Sequence, residues 1–320
     1  MHMKSFVILL LPFCISSAFA YKISIYTDQP DEVKARDVLN SFKTTYPFSQ
    51  FEIEIEIKSV ASASLNCGPR LGNDRLIGCD TQDITREAAS RGVDQVLVVK
   101  DNPNYGGSGG SVAVITSISP STMMLHEYLH TLGLRDEYEY KASEAVNYCS
   151  DSYSGPNMAM IEPNPDGYAN DGAARGQHMG QVPWGEFIKN ETLITNNGGT
   201  KLGTGMVNPN VHATPNNTNS PGRLGSAIGL YEGRTCKNAN PPKATWQPGR
   251  EASIMEFLDA GLGAGNEAMV AKILESRGVR RKEAPPESVS TAVNSSIRRS
   301  SKPLDQNPEV NSESPRNIAK

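Results

Sequence analysis

The stretch SVAVITSISPSTMMLHEYLHTLGLRDEY, residues 111–138, contains the local signals for a strand, a tight connection and a helix in succession. SVAVITS, from Ser111, has the apolar and β-branched character of a strand. Ser119 is placed as a helix N-cap and Pro120 as a first helical residue. Gly133 is placed as the stop, because glycine reaches the left-handed backbone that ends helices. On that helix His126 and His130 stand four positions apart, so both imidazoles leave one face about a turn from each other and can grip a single ion. The chain has five histidines in 320 residues. At that frequency a chance His-Glu-x-x-His has an expected count well below ~0.01.

The residues around the two histidines have separate parts to play. Glu127 is rotated one residue from His126, which puts its carboxylate beside the ion without making it a ligand. After the turn at Gly133, Asp136 is positioned to supply a third protein ligand. Three protein ligands with one open position are the arrangement of a catalytic rather than a structural zinc. Zinc lowers the pKa of its water from about 16 to about 7 and polarises a carbonyl. A carboxylate in the place of Glu127 can carry a proton from that water to a leaving amine. The expectation is hydrolysis of a peptide bond in a protein or peptide substrate, with His126, His130 and Asp136 as metal ligands and Glu127 as general base. The competing class is a non-catalytic secreted binding protein that keeps the metal helix as scaffold.

Outward from this helix, KISIYTD from Lys22 alternates apolar and polar residues, and FEIEIEIKSV from Phe51 alternates over a longer run. Between them residues 31–45 place Ala35, Val38, Leu39 and Phe42 on one helical face. Asp83 to Ser90 fits a short helix and VDQVLVVK from Val93 a buried strand. A β-α-β-α-β-β order predicts an α/β (α+β) fold with a mixed twisted sheet and packed helices. The expected divisions are an N-terminal sheet and helix subdomain over 21–120, and a loop-rich catalytic subdomain over 121–278. Between the last two strands YGGSGG, Tyr105 to Gly110, permits a tight or mobile backbone. From Val146 to about Gln247 the chain is rich in Asn, Gly and Pro, and Trp184, Phe187 and Ile188 are its best core anchors. His178 and His212 in this region fit surface histidines as readily as site residues. NEAMVAKILESRG from Asn266 has Met269, Val270, Ile273 and Leu274 at helical spacing, with Gly278 as stop. Residues 279–320 contain no aromatic residue and many Ser, Pro and Arg, and predict a disordered tail.

Residues 1–20 combine Lys4, an apolar run from Phe6 to Ile15 and Ala18-Phe19-Ala20, the pattern of a cleaved export signal. The apolar run is too short for a permanent span, and no later stretch reaches the roughly 18 to 20 apolar residues that a membrane helix needs. Cleavage leaves 30 basic against 35 acidic residues, a net charge of -5, with no basic cluster before the tail. That balance disfavours nucleic-acid binding. The remaining cysteines, Cys67, Cys79, Cys149 and Cys236, allow three disulfide pairings in an exported chain, and the expected one joins Cys67 to Cys79 and Cys149 to Cys236.

The full pattern resembles the metzincin metalloproteases, whose motif H-E-x-x-H-x-x-G-x-x-H/D is matched with Asp136 in the last place. That resemblance implies a methionine turn beneath the metal, for which SIMEF, Ser253 to Phe257, offers Met255. Within the metzincins the chain is most similar to the IgA-peptidase-like family. Asp136-Glu137-Tyr138, Gly106 to Gly110, Pro183-Trp184, Gly229 to Gly233 and Trp246-Gln247-Pro248 stand in the family's order. A member of that family has one more residue between its second histidine and the aspartate, and a cysteine near the methionine where this chain has Ser253. The resemblance implies a zinc-dependent endopeptidase in which SVAVITS is the edge strand that pairs with an extended substrate. Tyr138 and Tyr140 are candidates for oxyanion stabilisation or for packing. A downstream glutamate ligand, as in the thermolysin-like proteases, is disfavoured by the lack of an Asn-Glu-x-x-Ser-Asp helix.

Overall fold

The computed structural model describes residues 20–70, 73–150, 153–161, 171–188, 228–249 and 252–283. Residues 1–19 of the expected export signal, His212 and residues 284–320 of the expected tail lie outside them.

The alternating segments form the strands expected of them. β1 is Tyr21–Thr27 and β2 is Ile53–Ser59, and they pair in parallel from Tyr21↔Ile53 to Thr27↔Ser59, with helix α1, Val33–Thr44, as the crossover. Strands β3, Cys67–Arg70, and β4, Asn73–Cys79, make a hairpin, followed by helix α2, Gln82–Ser90, and strand β5, Gln95–Lys100. The glycine-rich stretch forms β6, Gly107–Ser108, before β7, Ala113–Thr116, and the metal helix α3, Ser121–Thr131. These strands build one seven-stranded mixed sheet in the order β2-β1-β5-β7-β6-β4-β3. The fold is α/β, as the order of patterns predicts.

Side-chain alternation on the central strands separates two cores. Ile23, Ile25, Leu97, Val99, Ala113 and Ile115 point to one face, where Val38 and Phe42 of α1 and Met124, Tyr128 and Leu129 of α3 meet them. Tyr26, Val96, Val98 and Val114 point to the other, against Ile84 and Ala88 of α2. A strand buried on both faces must be apolar at nearly every position, and VDQVLVVK meets that demand. β2 lies at the sheet edge, so its glutamates face water while its isoleucines are half-buried. An aromatic contact joins α1 to the metal helix: Phe42 meets Tyr128 edge-on with ring centroids 5.0 Å apart, and Phe48 lies 5.6 Å from Tyr128.

The later part of the chain has only short elements among its described residues. They are α4, Ala142–Tyr148, β8, Ala159–Met160, α5, Asp171–His178, β9, Tyr231–Gly233, and β10, Thr245–Gln247, before the final helix α6, Ala264–Ser276. β8, β10 and β9 form a small antiparallel sheet over a core containing Trp184, Ile188, Trp246 and Met269. Each indole is satisfied by a carbonyl: Trp184 Nε1 donates to Gly229 O at 2.7 Å and Trp246 Nε1 to Ile161 O at 2.8 Å. Both expected disulfides are present, Cys67 with Cys79 across the β3-β4 hairpin and Cys149 with Cys236 behind α4.

Four features depart from expectation. SVAVITS is not an edge strand: β7 lies between β5 and β6, because the glycine-rich stretch supplies one further antiparallel partner. The β3-β4 hairpin has no alternating pattern to announce it, and pairing across Cys67↔Cys79 and Gly68↔Gly78 creates it. Ser119 is not the N-cap of the metal helix. Pro120 holds that position, and the Ser119 hydroxyl is taken up by Gly106 O at 2.9 Å. Finally, the folded body extends beyond residue 278. Val279 is buried, Arg281 pairs with Phe51, and Lys282 N donates to Gln50 O at 2.8 Å.

Truncating Phe42 removes an aromatic group that is 1% exposed and leaves a cavity against Tyr128. Phe42→Ala is expected to cost about 3–5 kcal/mol of folding stability, read from the shift of the urea unfolding midpoint at unchanged slope.

Candidate metal centre

Helix α3 is apolar over most of its circumference. Met124, Leu125, Tyr128 and Leu129 are buried in the core, which fixes the rotation of the helix. The remaining arc presents His126, Glu127 and His130 to a cavity of about 600 Å³. Gly133, at φ 93°, ends the helix in a conformation that a side chain would strain. The turned chain then offers Leu134 O to His130 Nδ1 at 2.9 Å and brings Asp136 back toward the imidazoles.

The two histidines are held in the same tautomer by carbonyls from distant parts of the chain. His126 Nδ1 donates to Ile254 O at 2.9 Å, as His130 Nδ1 does to Leu134 O. A carbonyl oxygen only accepts, so in each neutral ring the lone pair sits on Nε2. Those two Nε2 atoms are 3.2 Å apart, and Asp136 Oδ1 is 3.2 Å from each. Oδ1 is buried and accepts no hydrogen bond, while the other carboxylate oxygen, Oδ2, accepts one from Tyr140 Oη at 2.5 Å. Three lone pairs thus converge where only a cation or protons relieve their repulsion. Tetrahedral zinc with N and O ligands at about 2.0–2.2 Å has ligand-to-ligand edges of about 3.3–3.5 Å. The triangle observed fits an ion of that size.

Two carboxylates compete for the third ligand position. Glu127 and the two histidines have donor atoms all within 4.8 Å of one another, a group able to hold a metal ion. Asp136 Oδ1 lies 3.2 Å from both ring nitrogens and its carboxylate is fixed by Tyr140, so its geometry suits the third position as well as that of Glu127 does. Asn157, fully buried, brackets the aspartate: its Oδ1 accepts from Arg135 N at 2.7 Å, and its Nδ2 donates to Arg135 O at 2.9 Å and to Glu137 Oε1 at 2.8 Å. Glu137 N donates to Met255 O at 2.9 Å, and Glu137 Oε2 accepts from Ser253 Oγ at 2.5 Å. Ser253 therefore ties the methionine turn to the residue after the ligand. Met255 is fully buried, in the same core cluster as Leu125 and Leu129.

Other candidates fall into place around this centre. Tyr140 also shares a hydrogen bond with Tyr153 Oη at 2.8 Å, so its hydroxyl orients Asp136. Tyr138 lines the cavity and remains 36% exposed. His178 is buried rather than superficial, and stacks on Trp246 at 6.1 Å between ring centroids. The glycine-rich stretch closes the cavity on the strand side. A Cβ at Gly109 would lie 2.5 Å from His130 Cβ, so only glycine lets the backbone run this close to the metal helix. Asn157 and the Ile254 carbonyl escape the sequence reading, since a lone loop Asn and a backbone oxygen carry no pattern.

Charge balance in the metal-free protein follows the same geometry. Burial pulls both imidazoles toward lower pKa, and the Asp136 carboxylate more than offsets it, leaving His126 raised and His130 raised to about 9. Burial opposes ionisation of Asp136, yet the two imidazoles hold its carboxyl far below the usual carboxylate range. Glu127 is shifted upward, chiefly by burial.

Two outcomes are expected. Tyr140→Phe should weaken metal binding about 10–100-fold in a competitive chelator titration, because the Asp136 oxygen loses its orienting donor. In chelated protein the His130 contribution to stability is complete below about pH 6.5 and is lost as pH rises through about 9. Its melting temperature should fall across that window, and metal-loaded protein should lack this decline, since coordination requires the neutral rings. No protein-family model matches this chain and no curated protein does, so the assignment of the centre stands on its geometry.

Proposed function

We propose that this protein is a secreted zinc-dependent metalloendopeptidase of metzincin type, similar to the IgA-peptidase-like family, with His126, His130 and Asp136 as zinc ligands. The observation that carries the reading is the buried Asp136 oxygen, without a hydrogen bond and 3.2 Å from two imidazole nitrogens whose opposite sides are tied to carbonyls. Nitrogen and oxygen donors of this kind suit zinc. When bound there, zinc makes an attacking water acidic near neutral pH and polarises the substrate carbonyl.

The chain's own groups supply the remainder. Glu127 stands beside the two ligand histidines in an open cavity, and burial raises its affinity for protons. A carboxylate of that kind takes a proton from the attacking water and passes it to the amine nitrogen as the peptide bond breaks. Tyr140 is committed to Asp136, and Tyr138 is the tyrosine available for the oxygen of the scissile carbonyl. The methionine turn holds the base of the site through the Ile254 and Met255 carbonyls. Export is supported by the two disulfides, which persist in oxidising compartments. Among the described residues no helix is long and apolar enough to cross a membrane.

Glu127→Ala is expected to retain about one zinc per chain by metal analysis and to lose cleavage of a denatured protein substrate by about 10²–10⁴-fold. Unchanged cleavage removes the assigned role of Glu127. Retained metal with no cleavage by the unaltered protein on any substrate favours the non-catalytic binding scaffold instead.

A further inference from the structure

We infer that the cavity selects a substrate carboxylate, which Arg70 and Arg135 hold near the scissile bond. This specificity rests on the proteolytic reading above. Both arginines line the cavity that holds the metal-binding trio. Arg70 Nη2 donates to Cys79 O at 3.3 Å; Arg135 Nε donates to Ser154 O at 3.0 Å, and its guanidinium lies 5.2 Å from the Tyr153 ring centroid. Among the described residues neither has a carboxylate within ion-pair distance. By contrast, Arg36, Arg91 and Arg280 each pair with a glutamate at 2.8 Å or less.

The other lining residues leave these two charges uncompensated. Among the described residues, the carboxylates lining the cavity are Glu127 and Asp136. A divalent cation on the histidine pair balances both, so the loaded site keeps the two positive charges of the guanidinium groups. A low-dielectric cleft of one sign concentrates ligands of the opposite sign. Guanidinium matches a carboxylate with two parallel hydrogen bonds, a geometry that no neutral side chain reproduces.

The placement of Arg70 is built into the hairpin. A Cβ at Gly78 would fall 1.5 Å from Arg70 Nε and 2.3 Å from its Cδ, so the arginine lies across β4 in the space a side chain at position 78 would fill. Gly78 pairs with Gly68, and Cys67–Cys79 fastens the two strands beside it. The disulfide-bonded hairpin therefore carries Arg70 to the cavity wall that Leu76 of β4 also lines. The carboxylate can belong to an aspartate or glutamate side chain, or to a chain terminus.

The test uses zinc-loaded protein and peptide pairs that differ by Glu or Gln at single positions on either side of the cut, each with a free or an amidated C-terminus. At least one Glu peptide is expected to exceed its Gln partner in kcat/KM by about tenfold or more, the range of a charge-assisted hydrogen bond. The ratio should shrink at high salt. Arg70→Gln should bring it near one, and Gly78→Ala should lower it by displacing the arginine, with the melting curve of each variant confirming that it is folded. A preference that survives amidation assigns the side chain, and one that appears only with a free terminus assigns the terminal carboxylate. Equal rates for every Glu and Gln pair and for both termini overturn the inference and leave peptide hydrolysis standing. The same peptides are also titrated against zinc-loaded Glu127→Ala protein. Tighter binding of a carboxylate peptide that depends on Arg70, without cleavage by the unaltered protein, keeps the carboxylate site and overturns the proteolytic reading. Neither cleavage nor a difference in binding overturns both.

Discussion

The structure depends on one constraint, the holding of two imidazole nitrogens and a carboxylate oxygen 3.2 Å from one another at the wall of the cavity. Such an arrangement is unfavourable by itself, and it persists because each donor is fixed from behind by groups that belong to the fold. His126 is fixed by the Ile254 carbonyl, His130 by the Leu134 carbonyl, and Asp136 by Tyr140 on its side chain and Asn157 on its backbone neighbours. Each tie satisfies one ring nitrogen or one carboxylate oxygen and leaves the other for the centre. The same rule that demands partners for buried polar groups therefore picks out the atoms that could hold an ion.

Packing and chemistry are separated on α3 by helical periodicity. Met124, Leu125, Tyr128 and Leu129 lock the helix against the sheet and against Phe42 of α1, so rotation of the arc that carries His126, Glu127 and His130 is prevented by core contacts. The parallel strands β1, β5 and β7 supply a rigid floor because they are buried on both faces. Loops position side chains less accurately than this support, and Asp136, which lies on a loop, is held by Tyr140 on its carboxylate and by Asn157 on its neighbour Arg135.

The patterns that depend on local periodicity are legible in the chain. KISIYTD, FEIEIEIKSV and VDQVLVVK give their strands with boundaries close to those seen, and the i,i+4 spacing of the histidines brings their Nε2 atoms together on one face. What the sequence conceals is non-local. The β3-β4 hairpin arises from pairing of Gly68 with Gly78 and a cystine, neither of which produces alternation. The β6 strand has two residues and is defined by its neighbours, which is why β7 looks like an edge from sequence. Asn157 has no companion pattern, yet two hydrogen bonds to Arg135 and one to Glu137 make it the hinge-pin of the loop that carries Asp136. Val279 to Lys282 fail in the same way, since their order comes from Gln50 to Glu52 more than two hundred positions earlier.

The carbonyl that sets the tautomer of His126 lies 128 positions further along the chain. The sheet, the helix and the aspartate loop are therefore all encoded well before the oxygen that orients His126. The centre is completed only when the turn around Ile254 has closed, so a chain that stops short of that turn carries the motif without the geometry that gives it meaning.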